Sequence, residues 1–405
     1  MRAYERLLNY VRVYTTSSEE AQGTPSTERQ FALSNMLAEE MRGMGMSGVD
    51  ADEHAYVYGF IPASEGLDEK PCVGFIAHLD TAPDFCGENV EPKVIENYNG
   101  EAVRLGDSGR VLSPEQFPEL REMKGKTLIC TDGNTLLGAD DKAGIAEILT
   151  ACQHILNENI PHGRIAVCFT PDEEIGHGAD LLDINKLGAD FAYTLDGGEL
   201  PELSYETFNA SGAQFEVNGF NVHPGSAKNT MINASLVAME INSMLPSADV
   251  PSKTQDYEGF YHLLEMNGNV EKAVLKYIVR DHDRESFRAR ENCLRHIEKT
   301  INEKYGEGTA LLSIKEQYSN MAEFIKDHME IVELAKKAIA DAGVVPDIQP
   351  IRGGTDGANL SSKGLPCPNL GTGGYSFHGP YEHICAEYMD TAVDIITNIV
   401  KGIVK

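Results

Sequence analysis

Short apolar runs that end abruptly in histidine or carboxylate recur through the first half of this chain, and they constrain its fold more than any other feature. The runs at 72–79, 164–170 and 190–195 pass into His78 and Asp80, into Asp172-Glu173-Glu174, and into Asp196. A fourth run, 126–131, precedes Gly138-Ala139-Asp140-Asp141. Each is β-branched or apolar and reads as a strand. Longer helical stretches alternate with them up to about residue 205, so the pattern predicts an α/β sheet with covering helices. In such sheets the crevice beyond the carboxyl ends of the strands takes ligands, and these charged residues fall there.

A first helix is expected over Ala3–Tyr14, and a second after the Thr24-Pro25-Ser26-Thr27 cap, with Phe31, Met36, Leu37 and Met41 as its apolar face. Near residue 210 the pattern changes. Ala213, Phe215 and Val217 alternate with polar neighbours, Asn229–Leu245 reads as a helix, 273–280 as a strand and 284–304 as a helix. Beyond about residue 320 come a helix at 329–342, a Gly-rich loop at 352–357, a short strand at Pro368–Leu370 and a helix at Tyr388–Lys401. If both ends of the chain share one sheet, the middle unit is an insertion, giving one domain from 1–206 with 321–405 and a second from 207–320. The region 84–124, rich in Pro, Gly and charge, reads as a long irregular excursion.

Composition removes several classes of function. A net charge of −29, from 34 basic and 63 acidic side chains, repels nucleic acid and anionic lipid. No apolar run approaches the roughly 18 residues that span a bilayer. The N-terminus has no apolar signal-like stretch, and eight cysteines without a CxxC pair read as reduced thiols, so the expected location is cytoplasmic.

The chemistry lies in five stretches. In Ala77-His78-Leu79-Asp80, period 2 puts His78 and Asp80 on one face, an imidazole ligand with a carboxylate to orient it. Asp140 and Asp141 are placed to cap a helix, and capping needs only one carboxylate, which leaves the other for a cation. Asp172, Glu173 and Glu174 crowd three anions at a strand end, where repulsion raises a carboxyl pKa toward the range of a general base. Asp196 ends another strand, and the late loop from Gly371 to His383 holds His378 and His383, either of which could be a ligand. Together these residues suit two divalent cations, zinc, cobalt or manganese, about 3.5–4 Å apart across a shared carboxylate.

In order, the motifs HLDT, GADDKAG, PDEEIG, LDGG, NVHPGSAK, RGGTDGANLS and GGYSFHGPYEH span nearly the whole chain. The set resembles the aminoacylase and zinc-exopeptidase family, and within it the enzymes that act on tripeptides. The resemblance implies a catalytic α/β domain with a central mixed sheet flanked by helices, plus an inserted smaller α+β lid. It implies two zinc ions per subunit, one on His78, Asp140 and Asp196, the other on Asp140, Glu174 and His378, with Asp140 shared. Asp80 would orient His78, and Glu173 would be the general base of a zinc-dependent aminopeptidase that releases the N-terminal residue from tripeptides. From the lid, His223 would polarise the scissile carbonyl, while Arg280 and Arg352 would clamp a peptide carboxylate. Short peptides are then the expected partners, with room for a homodimer through the lid. The competing expectations are a related two-zinc dipeptidase or N-acyl amino acid amidohydrolase, and a non-catalytic metal-binding relative.

Overall fold

The computed structural model describes residues Met1–Lys405. The chain divides into two compact units, one made of Met1–Tyr205, Phe324–Gln349 and Thr355–Lys405, the other of Glu206–Glu323 with Pro350–Gly354.

An eight-stranded mixed sheet organises the first unit. At its centre Ile165–Thr170, Val73–His78 and Phe191–Leu195 run parallel, in that order. Every residue of these three strands is buried, as parallel strands covered on both faces must be. Phe75 and Tyr193 stack on one face at 6.1 Å between ring centroids. On that side lies helix Ala139–Asn157, which is flanked by helices Ala3–Tyr10 and Ala386–Val404. Ile76, Ala166, Cys168 and Ala192 project the other way into a cluster with Leu187 and Leu360, from the short helices Ile184–Leu187 and Asp356–Ser362. Asn369–Leu370 pairs in parallel with Phe191–Leu195, so a late segment of the chain does join the early sheet.

Several expected elements are placed differently. Leu128–Cys130 stays outside the main sheet and pairs with Lys93–Ile95 and His383–Cys385 in a separate four-stranded sheet. The stretch 84–124 is not an irregular excursion: it carries Lys93–Ile95, Val103–Leu105 and Arg110–Leu112 and a 3-10 turn at Pro118–Arg121. Tyr98, Leu105, Leu112, Leu120 and Met123 bury a small core there against Leu128 and Cys130. Six or seven apolar side chains suffice for such a satellite, and its Pro, Gly and charge concealed them. Ser26 and Thr27 do not cap the second helix, which begins at Gln30; their hydroxyls donate to Asp172 and to the Thr16 carbonyl instead. The first helix stops at Tyr10, four residues before the expected end.

In the second unit four antiparallel strands lie in the order Phe260–Gly268, Lys272–Asp281, Asn209–Asn218, Ala310–Tyr318. Helices Ala234–Ser243 and Arg284–Tyr305 cover a core of Phe215, Val217, Leu275, Tyr277, Leu294 and Ile301. Asn233 starts the first of these helices by accepting the N–H groups of Ser235 and Leu236, which shortens the expected Asn229–Leu245. Arg352, expected with the C-terminal part of the first unit, packs in the second, over the rings of Phe208 and Phe260. No helix is long and apolar enough to cross a membrane.

Candidate metal centre and active site

His78 ends the central strand Val73–His78 and is buried, with both ring nitrogens engaged. Nε2 stands 3.1 Å from Asp140 Oδ1 and 3.5 Å from Asp196 Oδ1. Nδ1 faces the backbone carbonyl of Asp80 at 3.1 Å and its carboxylate Oδ1 at 3.4 Å. Burial alone would lower the pKa of this imidazole, but hydrogen bonding to Asp140, Asp196 and Asp80 outweighs it and raises it well above the ordinary value.

Asp80 serves a second neighbour as well. Its carboxylate accepts the backbone N–H of Glu173 at 3.0 Å and of Glu174 at 3.3 Å. These two glutamates form a 3-10 turn after strand Ile165–Thr170, entered through Asp172 in the left-handed region at φ 57°. Asp172 is buried and accepts the Ser26 N–H, the Ser26 hydroxyl and the Gln30 side-chain amide at 2.5–2.6 Å. Nothing in the local pattern around residue 172 announced that anchor.

Asp140 and Asp141 do not cap the helix that follows. Gly138, at φ 76°, occupies the cap position with no side-chain bond, and both aspartates depart from helical geometry. The freed side chains turn to His78 and divide the work. Asp141 accepts the backbone N–H of His78 at 3.0 Å, while burial raises its pKa well above the ordinary carboxyl value. Asp140 meets one imidazole with each oxygen, His78 at Oδ1 and His378 at Oδ2, 3.5 Å away. Burial pushes the Asp140 carboxyl up, yet hydrogen bonds from His378 and His78 bring the net shift below the usual range.

His378 reaches the cluster from the late loop with φ 61°. Its Nε2 lies 2.9 Å from Glu174 Oε2, and Nδ1 lies 3.5 Å from Asp84 Oδ2. Hydrogen bonds to Asp140 and Glu174 push this imidazole up to about 11. His383 turns away: it stacks on Tyr375 at 5.5 Å, its Nδ1 faces the Tyr381 carbonyl, and burial pushes it down to about 4. Of the two late histidines only His378 meets the carboxylates of this cluster; Nε2 of His383 faces Glu119 Oε1 at 3.6 Å instead.

Burial, then Asp196, raises Glu173 well above its ordinary value; burial, then Asp140, pushes Glu174 up to about 7. The ligand atoms of His78, Asp140 and Glu174 lie within 4.8 Å of one another, as do those of His78, Asp141 and Asp196. Glu174 Oε1 is buried without a hydrogen-bond partner, an uncompensated acceptor that a divalent cation would satisfy. The donor set of imidazoles and carboxylates fits a metal, and the carboxylates are crowded so that each raises the cost of ionising the next.

The remaining three expected residues belong to the second unit. His223 is exposed, and its Nδ1 accepts the N–H of Gly225 at 3.1 Å. Arg280 donates to the carbonyls of Val279 and Ser211 and lies 5.4 Å from the Tyr318 ring. Arg352 donates to the carbonyls of Asp256 and Glu258 at 2.6 and 2.9 Å and to the Thr254 hydroxyl at 3.0 Å. Asp84, Asp141 and Asp172 are further members of the first unit's network to which the sequence reading gave no such part.

Comparison with known proteins decides the family. The profile described as peptidase family M20/M25/M40 matches residues 132–402. The chain belongs to that family. It is 54% identical over 401 residues to a peptidase T of Clostridium perfringens, covering 99% of this chain and 98% of the relative. Its fold is that of M20 enzymes. The crystal structure of aminopeptidase PepT from Bacillus cereus superimposes with a TM-score of 0.79 at 22% identity, over 100% of this chain and 98% of that one. A tripeptidase from Staphylococcus aureus gives a TM-score of 0.78 at 21% identity, over 99% and 98%. The M20 chain described here is thus a peptidase, with a mixed α/β core that gathers its candidate ligands at strand ends.

Proposed function

We propose that this M20 peptidase is a zinc-dependent, cytoplasmic aminopeptidase that releases the N-terminal residue from tripeptides, with two zinc ions per subunit. One observation carries the reading: the two oxygens of Asp140 face different imidazoles, those of His78 and His378. His78, Asp140 and Asp196 would hold one ion, and Asp140, Glu174 and His378 the other. Imidazole and carboxylate donors without thiolate suit zinc in a catalytic site. When bound, the pair would supply a water acidified toward neutrality and draw charge from the scissile carbonyl.

The chain's own residues do the rest. Glu173, whose pKa is raised by burial and by Asp196, takes the proton of the attacking water and passes it to the leaving amine. Asp80 sets both the ring of His78 and the backbone of the turn that bears Glu173. His223 is assigned to polarise the carbonyl oxygen and Arg352 to catch the far carboxylate of the peptide, from the NVHPGSAK and RGGTDGANLS motifs that hold them; Arg280, which lies outside both motifs, is assigned to the same carboxylate from the family resemblance. A carboxylate caught at a set distance from the scissile bond selects for length, in keeping with the tripeptidase of similar fold.

The test is a matched series of di-, tri- and tetrapeptides, with free and blocked N-termini, offered to protein reconstituted with defined zinc. Preferential release of the first residue from free tripeptides is expected. Faster cleavage of the N-acylated members would assign an amidohydrolase instead, preference for dipeptides a dipeptidase, and no cleavage of any member a non-catalytic relative.

A further inference from the structure

Glu382 is a buried carboxylate that the mechanism above does not use. Its Oε2 accepts the backbone N–H groups of Leu137 and Gly138 at 2.7 and 2.8 Å, and its Oε1 accepts that of Asp140 at 3.0 Å. These donors lie at the start of helix Ala139–Asn157, where N–H groups lack an upstream helical carbonyl. One side chain from a segment 242 residues away from Asp140 in sequence thus holds three backbone donors of the loop that presents Asp140.

Glu382 also belongs to the segment that presents His378. Gly374 pairs with Ile384 and Tyr375 with His383, so residues 376–382 form the loop of a hairpin whose second strand is registered against Leu128–Cys130. His378 stands in that loop at φ 61°, and the Glu382 N–H closes on the Gly379 carbonyl at 3.3 Å. On the other side, a Cβ at Gly138, which stands at φ 76°, would come within 3.2 Å of Thr81 Cγ2, so the Asp140 loop takes glycine there.

Taking a carboxylate out of water costs several kcal/mol, and neutral acceptors or water would satisfy three N–H groups without that cost. What a charged side chain adds is stiffness, because charge-assisted bonds are shorter and roughly twice as strong as neutral ones. Here they join the two loops that would each supply a ligand to one ion of the proposed centre.

We infer that Glu382 is a positioning residue whose carboxylate ties the loop bearing Asp140 to the hairpin bearing His378, so that both side chains meet the same metal ion. This rests on the two-metal reading proposed above. In Glu382→Gln one oxygen still accepts, but the new amide points N–H groups at backbone N–H groups. Glu382→Asp keeps the charge and withdraws it by one methylene.

The experiment titrates metal-free full-length protein with cobalt(II), followed by its visible absorption, alongside circular dichroism and thermal unfolding of each metal-free variant. Wild type is expected to take up two cobalt ions. Glu382→Gln should retain its circular dichroism and weaken at least one of the two steps by about 10–100-fold, the usual scale for residues that orient metal ligands, with Glu382→Asp between the two. Excess cobalt should then restore kcat on a tripeptide with KM unchanged, which a general loss of structure would not allow. Two binding steps within twofold of wild type in Glu382→Gln would overturn the inference and leave the metal centre standing. Loss of the metal-free fold in both variants would also overturn it, by assigning Glu382 to folding. Fewer than two cobalt ions on wild type would instead sink the two-metal reading, and this inference with it.

Discussion

Asp80 Oδ1 accepts the backbone N–H of Glu173 at 3.0 Å and stands 3.4 Å from Nδ1 of His78. A single buried carboxylate therefore ties the orientation of a candidate ligand to the position of the candidate base. Replacing Asp80 by Ala should disturb both at once. We expect zinc affinity to fall by about 10–100-fold and kcat to stay depressed even at saturating zinc. Metal titration and kinetics at saturating zinc check this; full recovery of kcat would separate the two roles and limit Asp80 to the imidazole.

Glu173 is assigned to proton transfer rather than to metal binding. Glu173→Gln should lower kcat by roughly 10²–10⁴-fold, the contribution of a positioned general base, while zinc content stays at the wild-type level. Elemental analysis and tripeptide turnover on the same preparation decide it. Retained activity would remove Glu173 from the mechanism.

Glu147 offers a pH test away from the candidate centre. It lies in helix Ala139–Asn157, fully buried, neither of its oxygens has a hydrogen-bond partner, and burial raises its pKa well above the ordinary glutamate value of 4.5. Because the folded state holds this proton more tightly than the unfolded one, its contribution is fully present below pH 4.5 and is lost as pH rises toward the raised value. Each pH unit in that window costs about 1.4 kcal/mol. Glu147→Gln, which has no proton to lose, should gain on wild type between pH 5 and pH 8 in denaturant melts, and the gain should vanish near pH 4. A difference independent of pH would show that Glu147 is not held protonated.

The two arginines assigned to substrate should separate. Arg352 is tied to the Asp256 and Glu258 carbonyls and Thr254, so Arg352→Ala should lower stability by about 1–3 kcal/mol besides any effect on substrate. Arg280→Ala should raise KM for tripeptides with a free C-terminal carboxylate and leave C-terminal amides unchanged. Equal effects on acid and amide would remove Arg280 from carboxylate recognition.

Much of the first unit was legible because its strands are short, wholly apolar and end in charge. Val73–His78, Ile165–Thr170 and Phe191–Leu195 lie within a residue or two of the expected runs. Seven expected site residues share one hydrogen-bonded cluster: His78, Asp80, Glu173, Glu174 and Asp196 follow from those strand ends, while Asp140 and His378 reach it from loops. The region 84–124 was misread because its apolar residues are too sparse for any period to register.

The linear pattern by itself determined which side chains stand at the ends of strands, since alternation and apolar continuity are local properties written in neighbouring residues. Tertiary structure alone decided how those ends are held. Glu382 closing on Leu137, Gly138 and Asp140, Asp172 anchored by Ser26 and Gln30, and Asp141 turned to His78 rather than to its own helix are all contacts between distant segments. A buried carboxylate takes whichever donors the packed backbone brings within about 3 Å, and no local spacing specifies which those will be.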